Sequence, residues 1–377
     1  MEPAELNQYQ RHLSLDGFGE ENQLKLKRAS VLVVGAGGLG CPVLQYLTAA
    51  GVGRIGITDD DHVEISNLQR QVLFSHDDEG ENKAQVAAVK LAKTNPLVTI
   101  EPYAQRLTRE NCESLFKTYD LIVDGTDNFS SRYLINDACV LFNKPLIHGS
   151  INRFEGMVSV FNYNSGPTYR CLFPEQPDPS SIPSCAEAGV LGVLPGIIGT
   201  MQAVEAIKVI TGIGSPLSGR VLLYNALSQT TRTINLSVDS KNREIDALPE
   251  EVISCKSNPS DVEINSQIEE ISEDQLQQMM GQSADLQILD VRESWERELF
   301  RIQPSVHIPL GNLPSNQEGL SVLEINPNQN LVIYCKAGVR SRAACEMLQK
   351  LGCSKLFNLS NGMDGWLNQF PDLVSSG

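Results

Sequence analysis

Cys335-Lys336-Ala337-Gly338-Val339-Arg340-Ser341 follows the apolar run Leu331–Tyr334 and precedes a helical pattern that starts at Arg342. A cysteine at the end of a buried strand, inside a short loop, meets the N-terminus of the next helix. The helix dipole and Arg340 both favour a thiolate there. Such a thiolate attacks sulfur or phosphorus. Backbone N–H groups around the loop would stabilise an anion carried on it. The expected chemistry is that of sulfur.

A second constellation lies 300 residues earlier. Gly35-Ala36-Gly37-Gly38-Leu39-Gly40 follows a buried strand and opens a helix, the context that makes a glycine-rich fingerprint a phosphate site. Asp59 ends the second strand, where an acid hydrogen-bonds a ribose hydroxyl. To this point a dinucleotide-dependent dehydrogenase fits as well as any other reading. Further polar groups fall beside the same edge: Ser66-Asn67-Leu68-Gln69-Arg70-Gln71, then Lys83, then Asp124-Gly125-Thr126-Asp127-Asn128 at the end of a later strand. Arg70 and Lys83 are suited to neutralise a triphosphate. Asp127 is suited to hold Mg2+, a hard cation that prefers carboxylate and phosphate oxygens.

The elements that must position these groups alternate. Strands are expected at 31–34, 54–58, 98–103, 121–123 and 146–147, with helices at 39–50, 83–93 and 130–142 between them. Pro42 is tolerated because it lies in the first helical turn. Strand–helix alternation implies α/β architecture, a parallel sheet with helices on both faces. From Gly156 the pattern turns strand-like at 157–161, 221–224 and 231–236, around an apolar helix at 196–210. Pro174 to Ser184 is too broken for regular structure. Residues 241–267 are polar and aperiodic and read as a linker. Beyond them the α/β pattern recurs: helix 273–280, strands 286–290 and 331–334, helix 342–351, strand 355–359 and a short helix near 364–369. The domains are therefore expected at 1–245 and 268–377, joined by 246–267.

A chain of 377 residues exceeds one ordinary core. Its 41% hydrophobic and 20% charged content is that of a globular protein. The net charge of -16, without a dense basic block, argues against nucleic acid or an anionic membrane as partner. No run approaches ~18 consecutive apolar residues, and Met1 to Arg11 lacks an apolar signal core, so a cytoplasmic protein is expected. The nine cysteines are scattered, without a C-x-x-C pair, which suits a reducing compartment.

Residues 8–235 resemble the ThiF/MoeB-type adenylyltransferases, bacterial relatives of the ubiquitin-activating enzymes. The matching pieces are Gln10-Arg11-His12, Gly35 to Gly40, Asp59-x-Asp61, Ser66 to Gln71, Lys83, Asp124 to Asn128, His148-Gly149, Arg153-x-Glu155-Gly156, Tyr169-Arg170-Cys171 and Cys185 to Val190. The resemblance implies a Rossmann-like activating-enzyme domain in which ATP adenylates the C-terminal glycine of a small ubiquitin-like sulfur-carrier protein. It implies that Gly38, Asp59, Ser66, Asn67, Arg70, Lys83, Asp127 and Asn128 hold ATP with Mg2+. It implies a homodimer in which Arg11 reaches the neighbouring subunit's site, and it makes Cys185 the loop cysteine that takes the activated carrier as a thioester. The two zinc-binding C-x-x-C pairs of that family are missing: Thr168 stands where the partner of Cys171 would be, and Cys255 is alone after Leu236. One thiolate does not close a four-ligand site, so zinc is not expected.

Residues 268–377 resemble a rhodanese domain. The pieces are Leu289 to Glu293, His307-Ile308-Pro309, the Cys335 to Ser341 loop and Gly362-Met363-Asp364-Gly365-Trp366. Rhodaneses carry sulfur as a persulfide on the loop cysteine. Related phosphatases have one more residue between Cys and Arg than the four here, Lys336 to Val339. The whole arrangement resembles the MoeZ-type fusions of adenylyltransferase and sulfurtransferase. That implies catalytic roles for Cys335, Cys185, Arg340, Asp127 and Arg70, a persulfide donor such as a cysteine desulfurase or thiosulfate, and a carrier thiocarboxylate as product.

Overall fold

Ser30–Val34 shows how the first core forms. Val31 to Val34 are all buried, as a central parallel strand requires. Successive side chains point to opposite faces. Val31 and Val33 join the cluster that holds Val43, Leu44 and Leu47, while Leu32 and Val34 join the one that holds Phe116, Tyr133 and Ile135. One strand thus serves two cores, and helices must cover both faces.

The computed structural model describes residues 1–176, 189–245, 247–248, 268–282, 286–314, 319–320, 325–327 and 329–375. The chain divides into two units, Met1–Lys256 and Ser257–Gly377. In the first, the strands are β1 (Ser30–Val34), β2 (Arg54–Thr58), β3 (Thr99–Tyr103), β4 (Leu121–Asp124), β5 (Leu146–Asn152), β6 (Glu155–Phe161), β7 (Arg220–Asn225) and β8 (Thr230–Asn235). They form one sheet in the order β3-β2-β1-β4-β5-β6-β7-β8. The first five are parallel; from β5 onward each pair is antiparallel. The order reverses at β1, so a crevice opens between the carboxyl ends of β1 and β4.

The second unit has β9 (Ile268–Ile271), β10 (Leu286–Asp290), β11 (Arg301–Ile302), β12 (Val306–His307), β13 (Asn330–Tyr334), β14 (Leu356–Leu359) and β15 (Val374–Ser375). A parallel sheet runs β12-β10-β13-β14-β9, and β11 pairs with β15 separately. The central strand β13 again serves two cores: Leu331 and Ile333 on one side, Val332 and Tyr334 on the other.

Several elements differ from the sequence expectation. Helices Pro3–Gln8, Gln10–Leu13, Gly19–Arg28, Arg109–Thr118 and Ser294–Leu299, and strand β9, carry too little apolar periodicity to be read in advance. The expected two-residue strand at 146–147 runs to Asn152, because its second half pairs with β6. The expected linker begins with a turn, Ser240–Arg243, that is tied to the first unit: Thr168 Oγ1 donates to the Asn242 carbonyl at 3.2 Å, and Asn242 Nδ2 donates to the Arg170 carbonyl at 3.2 Å.

The helix Val193–Thr211 is long and apolar enough to cross a membrane by length and composition. Here it covers the sheet. Leu194, Ile198, Ala203 and Ala206 are buried, and it packs against β5, β6 and the helix Gly40–Ala50. Its Gly199 permits the approach, since a Cβ there would lie 2.5 Å from the Leu39 carbonyl oxygen.

Candidate active sites

Gly35 leaves β1 with φ +93 and starts the turn into the helix Gly40–Ala50. A Cβ on Gly40 would sit 2.0 Å from the Gly35 carbonyl oxygen, so the turn closes only on glycine. The same loop is braced from β2. Asp59 Oδ2 accepts from Ala36 N at 2.7 Å and Oδ1 from Asp61 N at 2.8 Å. Burial pushes the Asp59 carboxyl up, and these two amide donors oppose the rise. Each oxygen keeps a second lone pair, so a ribose hydroxyl can still be accepted. The thiol of Cys41, the second residue of the helix, is buried and pushed up to about 12, mainly by burial.

Asn82 was not singled out from sequence, yet it organises this corner. Its Nδ2 donates to the carbonyls of Asp59 and Asp61, both at 3.1 Å, while Oδ1 caps the helix Lys83–Thr94 by accepting from Gln85 N. The available signal was its place immediately before a predicted helix. Lys83 is buried at 5% exposure and pairs with Asp61 Oδ2 at 3.0 Å. Its ammonium is thus committed to a largely exposed carboxylate beside the glycine loop.

The polar run comes to the other side of that loop. A Cβ on Gly38 would lie 3.6 Å from Arg70 Cγ, and one on Gly37 would lie 3.7 Å from Gln71 Nε2. Arg70 Nη1 donates to the Ser66 carbonyl at 3.1 Å. Asn67 is buried, its Nδ2 donating to Ser66 Oγ at 3.1 Å. Gly192, just before the long helix, packs onto Gln69, and Pro195 lies over Gly38.

At the end of β4, Asp127 and Asn128 are exposed. Asn128, expected as a ligand residue, caps the helix Phe129–Leu141 by accepting from Ser131 N at 2.9 Å. The corner is held from below. Asp124 accepts from Thr126 N at 2.9 Å, Thr126 Oγ1 at 2.7 Å and His148 Nδ1 at 2.8 Å. Burial, the largest influence, pushes the Asp124 carboxyl up, but the His148 contact, the Arg132 charge and the Thr126 hydroxyl together hold it below the usual range. Burial also lowers His148, which sits as a neutral imidazole with its Nε2 buried and unpartnered.

Arg11 is exposed on the N-terminal helix Gln10–Leu13. Cys185 and Cys255 lie outside the described residues. Cys171 Sγ accepts from the amides of Thr168 and Asp239, each at 3.4 Å. Val190 bridges to Arg153.

In the second unit, Cys335 follows β13 and is buried at 1% exposure. Ser341 Oγ donates to its sulfur at 3.4 Å and to the Gly338 carbonyl at 3.0 Å. Gly338 has φ +86 and begins the helix Val339–Lys350, three residues earlier than periodicity suggested. The chain folds back at Gly362, whose φ is +55. A Cβ there would lie 2.5 Å from the Cys335 carbonyl oxygen. Next to it, Met363 N donates to the Cys335 carbonyl at 2.8 Å and Asp364 N to the Lys336 carbonyl at 3.0 Å. Turning these carbonyls outward leaves the inner side of the loop to N–H groups and the helix terminus, an environment for an anion.

Arg340 was expected to act on the thiolate. It forms a bidentate pair with Glu296, both contacts 2.7 Å. Burial, the largest influence, pushes the Glu296 carboxyl up, but Arg340, the Glu293 amide and the Arg292 charge together hold it below the usual range. Asp290 is likewise held low despite burial, through three bonds from Arg292, one of them from its backbone amide, and one from Tyr334. These pairs lock helix Ser294–Leu299 and the Asp290–Glu293 segment around the loop.

Residues 9–245 match the ThiF family, and residues 272–369 match the rhodanese-like domain. The probable adenylyltransferase/sulfurtransferase MoeZ of Mycobacterium tuberculosis is 43% identical over 375 residues, 98% of this chain and 95% of that protein. The adenylyltransferase and sulfurtransferase MOCS3 of Xenopus laevis is 38% identical over 384 residues, 95% of this chain and 85% of its own. The sulfur carrier protein adenylyltransferase of Thermus thermophilus is 55% identical over 237 residues, covering 62% of this chain and 88% of that one. The chain also resembles the crystal structure of E. coli MccB with ATP, at a TM-score of 0.53 and 26% identity, over 62% of this chain and 72% of that one. The chain belongs to the ThiF family, in the branch of adenylyltransferase/sulfurtransferases that carry a rhodanese-like domain after the nucleotide-binding one.

Proposed function

We propose that the chain runs two consecutive reactions on one protein substrate. The first unit transfers AMP from ATP to the C-terminal glycine carboxylate of a ubiquitin-like sulfur carrier, releasing pyrophosphate. The carboxylate, a poor electrophile, becomes a mixed anhydride. The terminal sulfur of a Cys335 persulfide then attacks the acyl carbon and AMP leaves. A thiolate then attacks the Cys335 sulfur of this acyl disulfide, the carrier thiocarboxylate departs, and the mixed disulfide left on Cys335 is reduced by a cellular dithiol before the next turnover; we assign Cys185 as the residue that takes the activated carrier as a thioester.

In the first reaction the Gly35–Gly40 turn, with Gly38 at its tip, holds phosphate on helix N–H groups. Asp59 accepts from ribose while it braces the loop. Ser66, Asn67 and Arg70 line the facing wall, and Arg70 with Lys83 neutralises phosphate charge. Lys83 would exchange its Asp61 partner for phosphate. Asp127 is exposed at the carboxyl end of β4 and has the oxygen donors that fit Mg2+, so with Asn128 beside it this corner would hold the metal. When bound, Mg2+ offsets charge that develops on the phosphates. Asp124, Thr126 and His148 keep that corner in place. Arg11 of a second subunit would complete the site, making the working form a homodimer.

In the second reaction Cys335 is the sulfur carrier and Arg340 acts by positioning, through Glu296. The donor is a persulfide source such as a cysteine desulfurase or thiosulfate. We take the domains as 1–245 and 268–377 with a linker at 246–267, the protein as cytoplasmic, and nucleic acid and membrane as absent partners. The Thr168, Cys171, Asp239 and Asn242 cluster is closed by its own hydrogen bonds, which supports a fold independent of zinc. Elemental analysis giving about one zinc per chain would overturn that point.

The observation that carries this reading is the pairing, in one chain, of the braced glycine turn with the anion-favouring loop around Cys335. The test is incubation with ATP, Mg2+ and candidate carriers, followed by intact mass spectrometry. Carrier–AMP should form with ATP alone, and thiocarboxylate only when a persulfide source is added. Absence of carrier–AMP with every glycine-terminated carrier would sink the reading.

A further inference from the structure

A groove of about 570 Å³ borders the sulfur loop at Ala337 and runs between Glu273, Asn361, Asp364, Asn368 and Gln369. Glu273, the first residue of the helix Glu273–Gln282, is 5% exposed. The helix Gly362–Gln369 lies over its carboxylate. A Cβ on Gly365 would fall 2.1 Å from Glu273 Oε1, so glycine is what leaves that oxygen room. Oε1 is buried and has no hydrogen-bond partner, while Oε2 has a long contact of 3.5 Å from Asn361 Nδ2. A buried carboxylate oxygen without a donor is unfavourable, and a cationic donor relieves that cost most effectively. The remaining lining side chains are a carboxylate and carboxamides, and none of the residues lining the groove is basic. Gln369 is itself bound to Asp274, at 2.6 Å, which adds a second acid behind it. The same segment shapes the reactive loop, since Met363 N and Asp364 N hold the carbonyls of Cys335 and Lys336.

We infer that this groove is a specificity subsite for a cationic amine on the persulfide donor that loads Cys335. The inference rests on Cys335 being the sulfur carrier. In the loading step the Cys335 thiolate attacks the outer sulfur of the donor, R–S–SH. The new bond joins the two sulfurs, the donor S–S bond breaks, and R–S⁻ departs, so no external oxidant or reductant is needed. An ammonium two carbons from the donor's inner sulfur would be drawn to the Glu273 carboxylate, and a neutral donor of the same size would not.

The experiment compares loading rates of full-length protein with 2-aminoethyl persulfide, 2-hydroxyethyl persulfide and thiosulfate, read as the persulfide adduct on Cys335 by mass spectrometry. The intrinsic reactivities of the two organic donors differ, so the measured quantity is their rate ratio in wild type relative to each variant. Glu273→Gln should lower the preference for the amine roughly tenfold, the loss of one charge-assisted contact, and leave thiosulfate loading unchanged. Asn368→Lys, at an exposed position, should do the same by placing a cation in the groove, and it carries the test should Glu273→Gln lose thiosulfate loading. An unchanged rate ratio in both variants, with thiosulfate loading intact, overturns the inference alone. Failure of thiosulfate and both persulfides to load wild-type Cys335 overturns the sulfur-carrier reading beneath it.

Discussion

At the nucleotide edge the polar groups arrive from five separated segments, around Gly35, Asp59, Arg70, Lys83 and Asp124, and the sheet brings them together. Around Cys335 one continuous loop supplies the thiol, the supporting Ser341 and the helix terminus, and more distant chain only fixes its shape. The first site depends on side chains that are partly exposed, such as Asp127 and Asp61, and that are free to change partners. The second depends on backbone held at close quarters, with the sulfur buried. A dispersed site tolerates local change but needs the whole sheet. A loop site survives distant change but not a distortion of a few tenths of an ångström.

The largest test of that contrast uses one residue from each proposed site. Cys335→Ser replaces a thiol by a hydroxyl that stays protonated near neutral pH, so thiocarboxylate from a persulfide donor should fall to background while carrier–AMP still forms. Asp127→Ala should give the reverse: adenylation reduced about a hundredfold or more, with Cys335 still loaded by thiosulfate. Mass spectrometry of carrier and enzyme reads both. A Cys335→Ser protein that makes thiocarboxylate from thiosulfate at the wild-type rate would falsify the division of labour.

Next come the two close glycine contacts. Gly362→Ala should destabilise the second unit by about 2–4 kcal/mol and abolish persulfide loading, because its Cβ meets two carbonyls at a positive φ. Gly40→Ala should do the equivalent to the first unit and abolish adenylation, through the Gly35 carbonyl. Thermal unfolding should show one transition shifted and the other retained. A single shared transition in both variants would mean that the units unfold together.

A smaller effect separates the braces. His148→Gln leaves Asp124 with its Thr126 donors but removes the imidazole. Adenylation should drop by roughly tenfold through kcat, with carrier KM and persulfide loading unchanged, as befits a residue that acts by holding the Asp127 corner. Equal loss of both activities would instead point to global destabilisation.

The smallest concerns pH. Glu296 has a folded pKa below its ordinary 4.5, so the stability it contributes is fully present above that value and is lost as pH falls through the lower folded value. In the Glu296→Gln variant this acid sensitivity should be flatter, at a cost near neutral pH of about 1–3 kcal/mol for losing the charge-assisted bidentate contact with Arg340. Urea titrations at pH 3.5 and 7 would check it. Parallel acid dependence in both proteins would remove Glu296 from the account.

The chain's regular core was legible because Val31 to Val34 and Leu331 to Tyr334 are continuous apolar runs bounded by glycine-containing turns, and Lys83–Thr94 starts at an N-cap and stops before Pro96. The parts that were not legible share a cause. Gly19–Arg28 and Ser294–Leu299 gain their helicity from packing and ion pairing, not from an apolar stripe. Asn82, Glu296 and Glu273 are common polar residues whose meaning lies in partners far away in sequence or in a missing one.

The sequence by itself determined the α/β class, the family and the loop that carries Cys335, because turn glycines, strand runs and a contiguous loop are local features that survive in one dimension. Tertiary structure alone decided which charges meet. It gave Arg340 to Glu296, turned Asn128 into a helix cap, set the neutral His148 beneath the Asp127 corner, and left one oxygen of Glu273 buried without a donor. Electrostatic and hydrogen-bond energies depend on distances of a few ångströms and on local burial, and neither is fixed until the sheet brings its distant segments together.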